Sequence, residues 1–397
     1  MSSTPSVIKR IYIDNFRSFE NFEWAPERFH LLFGKNGRGK TSVMDVLGIL
    51  KQFIVEGSPA RDLFLDGELT AWLGKRKQTF EVDFEGEFGT ICYRLVLEHH
   101  EYEAGKCRIR SEEVKSDNGF LYKFDGSDAH LFKDGGKAGP SFPYDWSRSA
   151  ITTIPERGDN MALTWFREQW RRLLLFSPNP SGMSADADRE MPYPDRSLSK
   201  IVAWLRHLSQ DSFDAVARIQ SELREVMPGF DQFQLSQSGE TTRTLKLAFT
   251  SIDGRKGHKL SFSQLSEGQR QLFALYVILG AALEKPCTVF IDEPDNFVAL
   301  REIQPWLMAL RDKVEDSVVQ VILISHHPEV IDALAPDSAT WFFREGAGHS
   351  RCKTFEPDRE GGLKASEIVS RDLVEGCPVA GKVRLAVLSE DQLVEVG

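Results

Sequence analysis

"FHLLFGKNGRGKTSVMDVLGILKQF", Phe29–Phe53, sets the frame for the whole chain. Phe29 to Gly34 is a short apolar strand ending in glycine. From Thr41 the apolar residues recur at helical spacing, with Val43, Val46, Leu47 and Leu50 on one face. Between them, GKNGRGKT (Gly34–Thr41) satisfies GxxxxGK[ST] in the strand–loop–helix context that gives the motif meaning. Its glycines let the backbone wrap around phosphate oxygens, so amides of Asn36, Gly37, Arg38 and Gly39, and of the helix start at Ser42, point at an anion. Lys40 is placed for the β- and γ-phosphates and the Thr41 hydroxyl for Mg²⁺. A bound nucleotide is therefore expected.

Composition narrows the setting. In a chain of 397 residues, 41% hydrophobic and 27% charged content are those of an ordinary globular protein with a sizeable core. A net charge of −10 disfavours wholesale coating of nucleic acid, while leaving room for a local basic patch. Cys92, Cys107, Cys287, Cys352 and Cys377 are scattered without a CxxC pair, which fits a reducing compartment and argues against a zinc site. MSSTPSVIKR lacks an apolar signal core, and no apolar run reaches the ~20 residues of a membrane span. A cytoplasmic location without membrane contact is expected.

Outward from the glycine loop, "VIKRIYIDNFRSFENFEW" before it alternates like a half-buried strand pair. After it, Thr79 to about Phe132 is β in pattern, with Gly, Asp and Asn turns. Residues 133–160, rich in Gly, Pro and Ser, read as a loop or linker. Helical patterns follow in ALTWFREQWRRLLLF, SLSKIVAWLRHL and SFDAVARIQSELREVM, and TRTLKLAFTSIDGRKGHKLSFSQ returns to hairpin chemistry. The last third alternates helix 267–283, strand 287–292, helix 301–314, strand 318–324 and helix 328–334, which implies a mainly parallel sheet covered on its faces.

Two strand ends carry further chemistry. The apolar strand of CTVFIDEPDNF delivers Asp292 as a carboxylate for Mg²⁺ and Glu293 as a base for an attacking water. VVQVILISHHPEVID delivers His326, which can donate to a terminal phosphate, with His327 as its neighbour. SQLSEGQRQLF (Ser263–Phe273) opens a helix with Ser266, Glu267, Gly268 and Gln269.

The order of these motifs resembles that of ABC-type ATPases. "IDNFRSFENF", the ~225 residues between Lys40 and Ser266, and the IDEPDN…ISHHPEVID run resemble the SMC/RecF/OLD-like branch, which includes stand-alone ATPases of prokaryotic antiphage defence, and not transporter subunits. The resemblance implies an α/β ABC-type P-loop ATPase head with a mixed central sheet, an antiparallel β subdomain and a helical insertion. It implies an N-terminal lobe over 1–140, the insertion over 141–230, a C-terminal lobe over 231–355 and a tail or docking segment over 356–397. ATP and Mg²⁺ are the implied cofactors, with Lys40, Glu293 and His326 catalytic and Arg17 near the nucleotide. Ser266, Gly268 and Gln269 would bind the γ-phosphate held by a second copy, so that a homodimer or higher even oligomer closes around two ATP molecules.

Three features depart from the branch: Glu267 replaces a signature glycine, Ala299 stands where transporter ATPases carry an aspartate, and no Q-loop glutamine is evident. The ~50 residues after Phe343 leave too little chain for a nuclease domain, so the resemblance implies a switch that controls a separate effector, a nuclease or similar protein. A RecF-like DNA-binding clamp in repair is the alternative, with possible DNA contacts at residues 74–77, 106–110, 166–172 and 254–259.

Overall fold

Two kinds of strand pattern in the sequence become two kinds of sheet. The computed structural model describes residues 6–100, 106–250, 257–281, 287–316, 319–355 and 364–370. Strands β1 (Val7–Asp14), β2 (Phe22–Trp24) and β3 (Phe29–Phe33) lead through the glycine loop into α1 (Lys40–Lys51). A short α2 (Ala60–Leu63) precedes β4 (Lys77–Gly86), β5 (Gly89–His99), β6 (Cys107–Ser116), β7 (Gly119–Phe124), β8 (Asp128–Phe132) and β9 (Ala138–Pro143). Next come α3 (Met161–Arg171), β10 (Leu173–Phe176), β11 (Asp186–Ala187), α4 (Ile201–Asp211) and α5 (Phe213–Val226). Strands β12 (Phe230–Gln237), β13 (Arg243–Phe249) and β14 (His258–Ser261) lead to α6 (Glu267–Ala281) and β15 (Cys287–Asp292). The described chain closes with α7 (Leu300–Asp316), β16 (Val319–Ser325), α8 (Pro328–Leu334), β17 (Ala339–Arg344), β18 (Ser350–Thr354) and α9 (Ala365–Ser370). Most of the expected tail over 356–397 lies outside the described residues.

The central sheet runs β10-β15-β16-β3-β17-β18, parallel until β18 closes it antiparallel. Its inner strands β15, β16 and β3 are buried on both faces, as parallel strands are, while the edge strand β18 is largely exposed. Along β3, Leu32 enters a core shared with α1 and the antiparallel sheet, while Leu31 and Phe33 enter the core on the side of α4 to α7. The antiparallel sheet, β2-β1-β4-β5-β6-β7-β8-β9, packs over α1. Gln320 of β16 clasps the two sheets: its side chain accepts from the Ile8 amide at 2.8 Å and donates to the Ile8 and Glu27 carbonyls at 3.0 and 3.1 Å. This mixed central sheet with an antiparallel β subdomain and intervening helices is the fold class expected.

Three local expectations are corrected. The Gly/Pro-rich stretch 133–160 is not all loop, because Ala138–Pro143 forms the edge strand β9; Pro140 and Pro143 cost little on an edge with no further strand to bond. The helix expected over ALTWFREQWRRLLLF stops at Arg171, and Leu173–Phe176 pairs in parallel with Thr288–Ile291 at the edge of the central sheet. Residues 141–230 are therefore not helical throughout. A third small sheet, β11-β13-β12 with β14 on β13, includes the strand FDQFQLSQ, where no element is expected from sequence.

One buried acid stands in the antiparallel sheet. Glu112 is fully buried, accepting hydrogen bonds from the hydroxyls of Tyr93 (3.0 Å), Tyr122 (3.1 Å) and Ser149 (2.7 Å). Burial pushes its carboxyl up to about 7, against the three hydroxyls, which pull it down. Because the folded value lies above the unfolded one, Glu112 contributes stability that is complete below pH ~4.5 and is lost as pH rises through ~7. Thermal unfolding at pH 5 and pH 8 should show Glu112→Gln gaining on the wild type at pH 8; an equal gap at both values would count against this role.

Candidate active site

The glycine loop follows β3, and its shape is set by backbone that side chains rarely tolerate. Gly34, Gly37 and Gly39 have φ of 142°, 74° and 102°. A Cβ at Gly34 would lie 2.3 Å from the Phe342 carbonyl oxygen, and one at Gly39 would lie 2.8 Å from Ser350 Oγ. Lys40, buried at the head of α1, turns back to donate to the carbonyls of Gly34 (2.6 Å) and Lys35 (3.2 Å). Burial lowers its pKa, with Glu293 and Asp292 acting the other way. Asn36 is exposed and Arg38 half-buried, and the Gly37 carbonyl accepts from Arg344 at 3.4 Å.

The C-terminal ends of β15 and β16 meet this loop. Thr41 Oγ1 donates to Asp292 Oδ2 at 2.9 Å, although 251 residues separate the two. The other oxygen, Asp292 Oδ1, is buried without a hydrogen-bond partner. Burial pushes the Asp292 carboxyl up, the Thr41 hydroxyl draws it down, and Arg196 and Lys40 also act downward. A hydroxyl and a carboxylate with a spare oxygen are the hard donors Mg²⁺ takes when phosphates and waters supply the remainder. The residues present therefore fit that ion.

Glu293 sits beside this pair with a left-handed backbone, φ 51°, a strain that persists only where surroundings hold it. Its amide donates to the Ile324 carbonyl at 2.8 Å. Its carboxylate is gripped from two sides: His326 Nδ1 lies 2.9 Å from Oε1 and Asn296 Nδ2 donates to Oε2 at 2.7 Å. Of the two histidines, His326 is the one facing the acid; the His327 amide donates to Ser325 Oγ at 3.0 Å.

The signature segment is elsewhere. Ser266, Gly268 and Gln269 line a depression with Met227, Pro228, Phe297 and Glu302, and no glycine-loop residue lines it. Ser266 is exposed and closes a capping box, its Oγ accepting from the Gln269 amide (3.2 Å) and its own amide donating to Gln269 Oε1 (3.0 Å). Gly268 is obligatory, because a Cβ there would lie 2.6 Å from the Phe297 carbonyl oxygen. Glu267, in place of a signature glycine, is engaged by Ser181 Oγ. Behind the tip, buried Gln271 donates to the Pro294 carbonyl at 3.0 Å, tying α6 to the turn after the acidic pair. Ala299 is exposed at the head of α7, and its amide donates to Glu302 at 3.2 Å.

Asn296, Arg344 and Arg196 carry no local sequence pattern that marks them for the site, whereas Gln271 lies on the helix behind the tip. Arg17 reaches α1: its backbone is left-handed (φ 50°), and its guanidinium engages Ser42 (3.4 Å), Asp45 and Glu68 (2.8 Å).

A parallel sheet that brings a glycine loop, an Asp-Glu strand end and a strand-end histidine together, with a capped signature helix apart, is the layout of an ABC-type P-loop ATPase head. The family described as "AAA domain, putative AbiEii toxin, Type IV TA system" matches residues 113–332, more than half of the chain, and the chain belongs to that family. The matched span covers the signature segment, the acidic pair and the histidines, as well as all of residues 141–230; the glycine loop precedes it. Among solved structures, the chain is similar to the SmcHead bound to the C-winged helix domain of ScpA, with 14% identity, a TM-score of 0.54, and coverage of 89% of this chain and 98% of that one. It is also similar to the SMC head domain from Thermotoga maritima, with 15% identity, a TM-score of 0.47, and coverage of 88% and 99%. No curated protein matches. Among the described residues, no helix is long and apolar enough to cross a membrane.

Proposed function

We propose that this chain binds and hydrolyses ATP and that ATP closes it into a dimer that controls a separate effector. The observation that carries the reading is the 2.9 Å contact between Thr41 and Asp292, which places a glycine-loop hydroxyl against a strand-end carboxylate bearing an unpartnered oxygen. Amides of Asn36 to Gly39 and Ser42, with Lys40, bind the phosphates. Thr41 and Asp292 hold Mg²⁺, which when bound neutralises phosphate charge. Glu293 takes a proton from the attacking water as ADP and phosphate form, and His326 and Asn296 keep its carboxylate aimed.

The exposed tip at Ser266 supports the dimeric part of the reading. A helix N-terminus carries partial positive charge, and this one has its serine in solvent, away from its own glycine loop. A second copy's γ-phosphate is the anion it suits, which gives two composite sites about a two-fold axis. ATP then favours the closed pair, and loss of the terminal phosphate releases it. The family's description as a putative toxin of a type IV TA system supports a setting with a second component, for which control of a nuclease in antiphage defence is our reading.

The test is Ser266→Arg. Nucleotide affinity should stay within about twofold, while ATP-dependent dimerisation, followed by light scattering in the Glu293→Gln background, should disappear, since the bulk of arginine fills the space the partner's γ-phosphate and its loop would enter. Unchanged dimerisation would reject the model.

A further inference from the structure

Strand β10 ends beside Asp292: Phe176 pairs with Ile291, the residue before it. The chain then enters a loop whose first residue, Ser177, donates its amide to the Arg196 carbonyl at 2.8 Å. Ser177 Oγ also accepts from Arg196 Nε at 3.4 Å. The other end of the guanidinium, Nη1, donates to Asp45 Oδ1 at 2.7 Å. Asp45 lies four residues after Thr41 on α1, one helical turn away, so it shares that residue's face. Arg196 is also close enough to Asp292 for the two charges to act on each other. Arg17 engages Asp45 Oδ2, the other oxygen of the carboxylate that Arg196 holds.

Asp45 thus holds two arginines, one from each side, at the rim of the site. The side chain of Arg196 is 39% exposed, so it is free to turn, and Tyr193 and Pro194 line the same depression as Arg17, Asp45 and Arg196. Arginine suits a phosphate for the same geometric reason that it suits Asp45: a planar fork of donors matches two oxygens. The loop has a second attachment. Its Pro180 carbonyl accepts from Arg270 at 2.8 Å and its Ser181 hydroxyl engages Glu267, both on α6. Ser177 at the nucleotide end and Pro180–Ser181 at the signature helix are only a few residues apart.

We propose that Arg196 is a phosphate-binding side chain of this site, which exchanges Asp45 for the terminal phosphate of a bound triphosphate and transmits that exchange to α6 through residues 177–181. The inference rests on the ATP-binding reading and deepens it, since it names the group that tells ATP from ADP within one chain. Asp45 is the competitor that keeps Arg196 parked when the terminal phosphate is gone. No charge has to be created or destroyed in the exchange; one anion replaces another.

The experiment compares ATP and ADP affinities, by displacement of a fluorescent ADP analogue, for the wild type, Arg196→Ala, Arg196→Lys and Asp45→Asn. Arg196→Ala should weaken ATP by about tenfold or more, the worth of a charge-assisted hydrogen bond, and ADP by less than about twofold. Arg196→Lys should recover part of the loss, because the charge remains and the fork does not. Asp45→Asn should do the opposite and tighten ATP relative to ADP, a result that a merely structural ion pair would not give. Equal losses for ATP and ADP in Arg196→Ala, or no ATP preference gained in Asp45→Asn, would overturn the proposal and leave the ATPase reading standing. A folded wild type that binds neither nucleotide would overturn both.

Discussion

Glu293→Gln is expected to cut ATP hydrolysis by about 10²–10⁴-fold, the range a positioned general base contributes, while ATP affinity changes by less than about threefold. The reason is local. The carboxylate has one oxygen on His326 at 2.9 Å and the other on Asn296 at 2.7 Å, and it sits on a backbone held at φ 51° by the Ile324 carbonyl. Glutamine keeps the shape and most of the hydrogen bonds, so the turn should stay folded, but an amide cannot take the proton of water. Steady-state phosphate release and nucleotide binding, measured on the same sample, check both halves. Undiminished hydrolysis would remove Glu293 from the role of base.

The second large effect is expected at Lys40. Lys40→Met should lower ATP affinity by about 100-fold, since both the charge on the phosphates and the internal clip to Gly34 and Lys35 are lost. Stability should move the other way or not at all. Lys40 is a buried ammonium whose pKa is lowered by desolvation, and methionine removes the buried charge at similar length. A variant with an unchanged or raised melting temperature and no ATP binding would separate the two effects. A variant that binds ATP normally would mean that the glycine loop does not hold phosphate as proposed.

How much of this was legible beforehand depends on the range of the information. Gly34–Thr41, Asp292, Glu293 and His326 were readable because each is a short pattern whose spacing specifies a local backbone: a glycine turn before a helix, or an acid or imidazole at the end of an apolar strand. That the three meet follows from parallel strands ending on one edge. Leu173–Phe176 was not readable, since four apolar residues directly after a helix fit either continuation, and only the bonds to β15 decide. The edge strand β9 was hidden for another reason: its Gly and Pro residues are turn formers that an edge position tolerates. Arg196 carried no signal at all, because its partner Asp45 is 151 residues away and a loop arginine has no period to give it away.

At Ser266 the local signal serves two purposes. The exposed serine suits an outside phosphate, and its hydroxyl oxygen also accepts the Gln269 amide within its own chain. The two uses are compatible: the Gln269 amide takes a lone pair of the oxygen, and the hydroxyl hydrogen, which donates to Gln269 Oε1 at a long 3.3 Å, can turn to a phosphate because the residue stays in solvent.

The placement of that tip away from the glycine loop has a consequence in genetic terms, if two copies do complete each other's sites. An allele damaged at Lys40 and an allele damaged at Ser266 would each be silent alone. Expressed together, they would form mixed pairs in which both lesions fall in one site and the other site is whole. Defects at the glycine loop and at the signature tip would therefore complement each other, and a screen for loss of function with two copies of the gene present would sort them into two groups from a single gene.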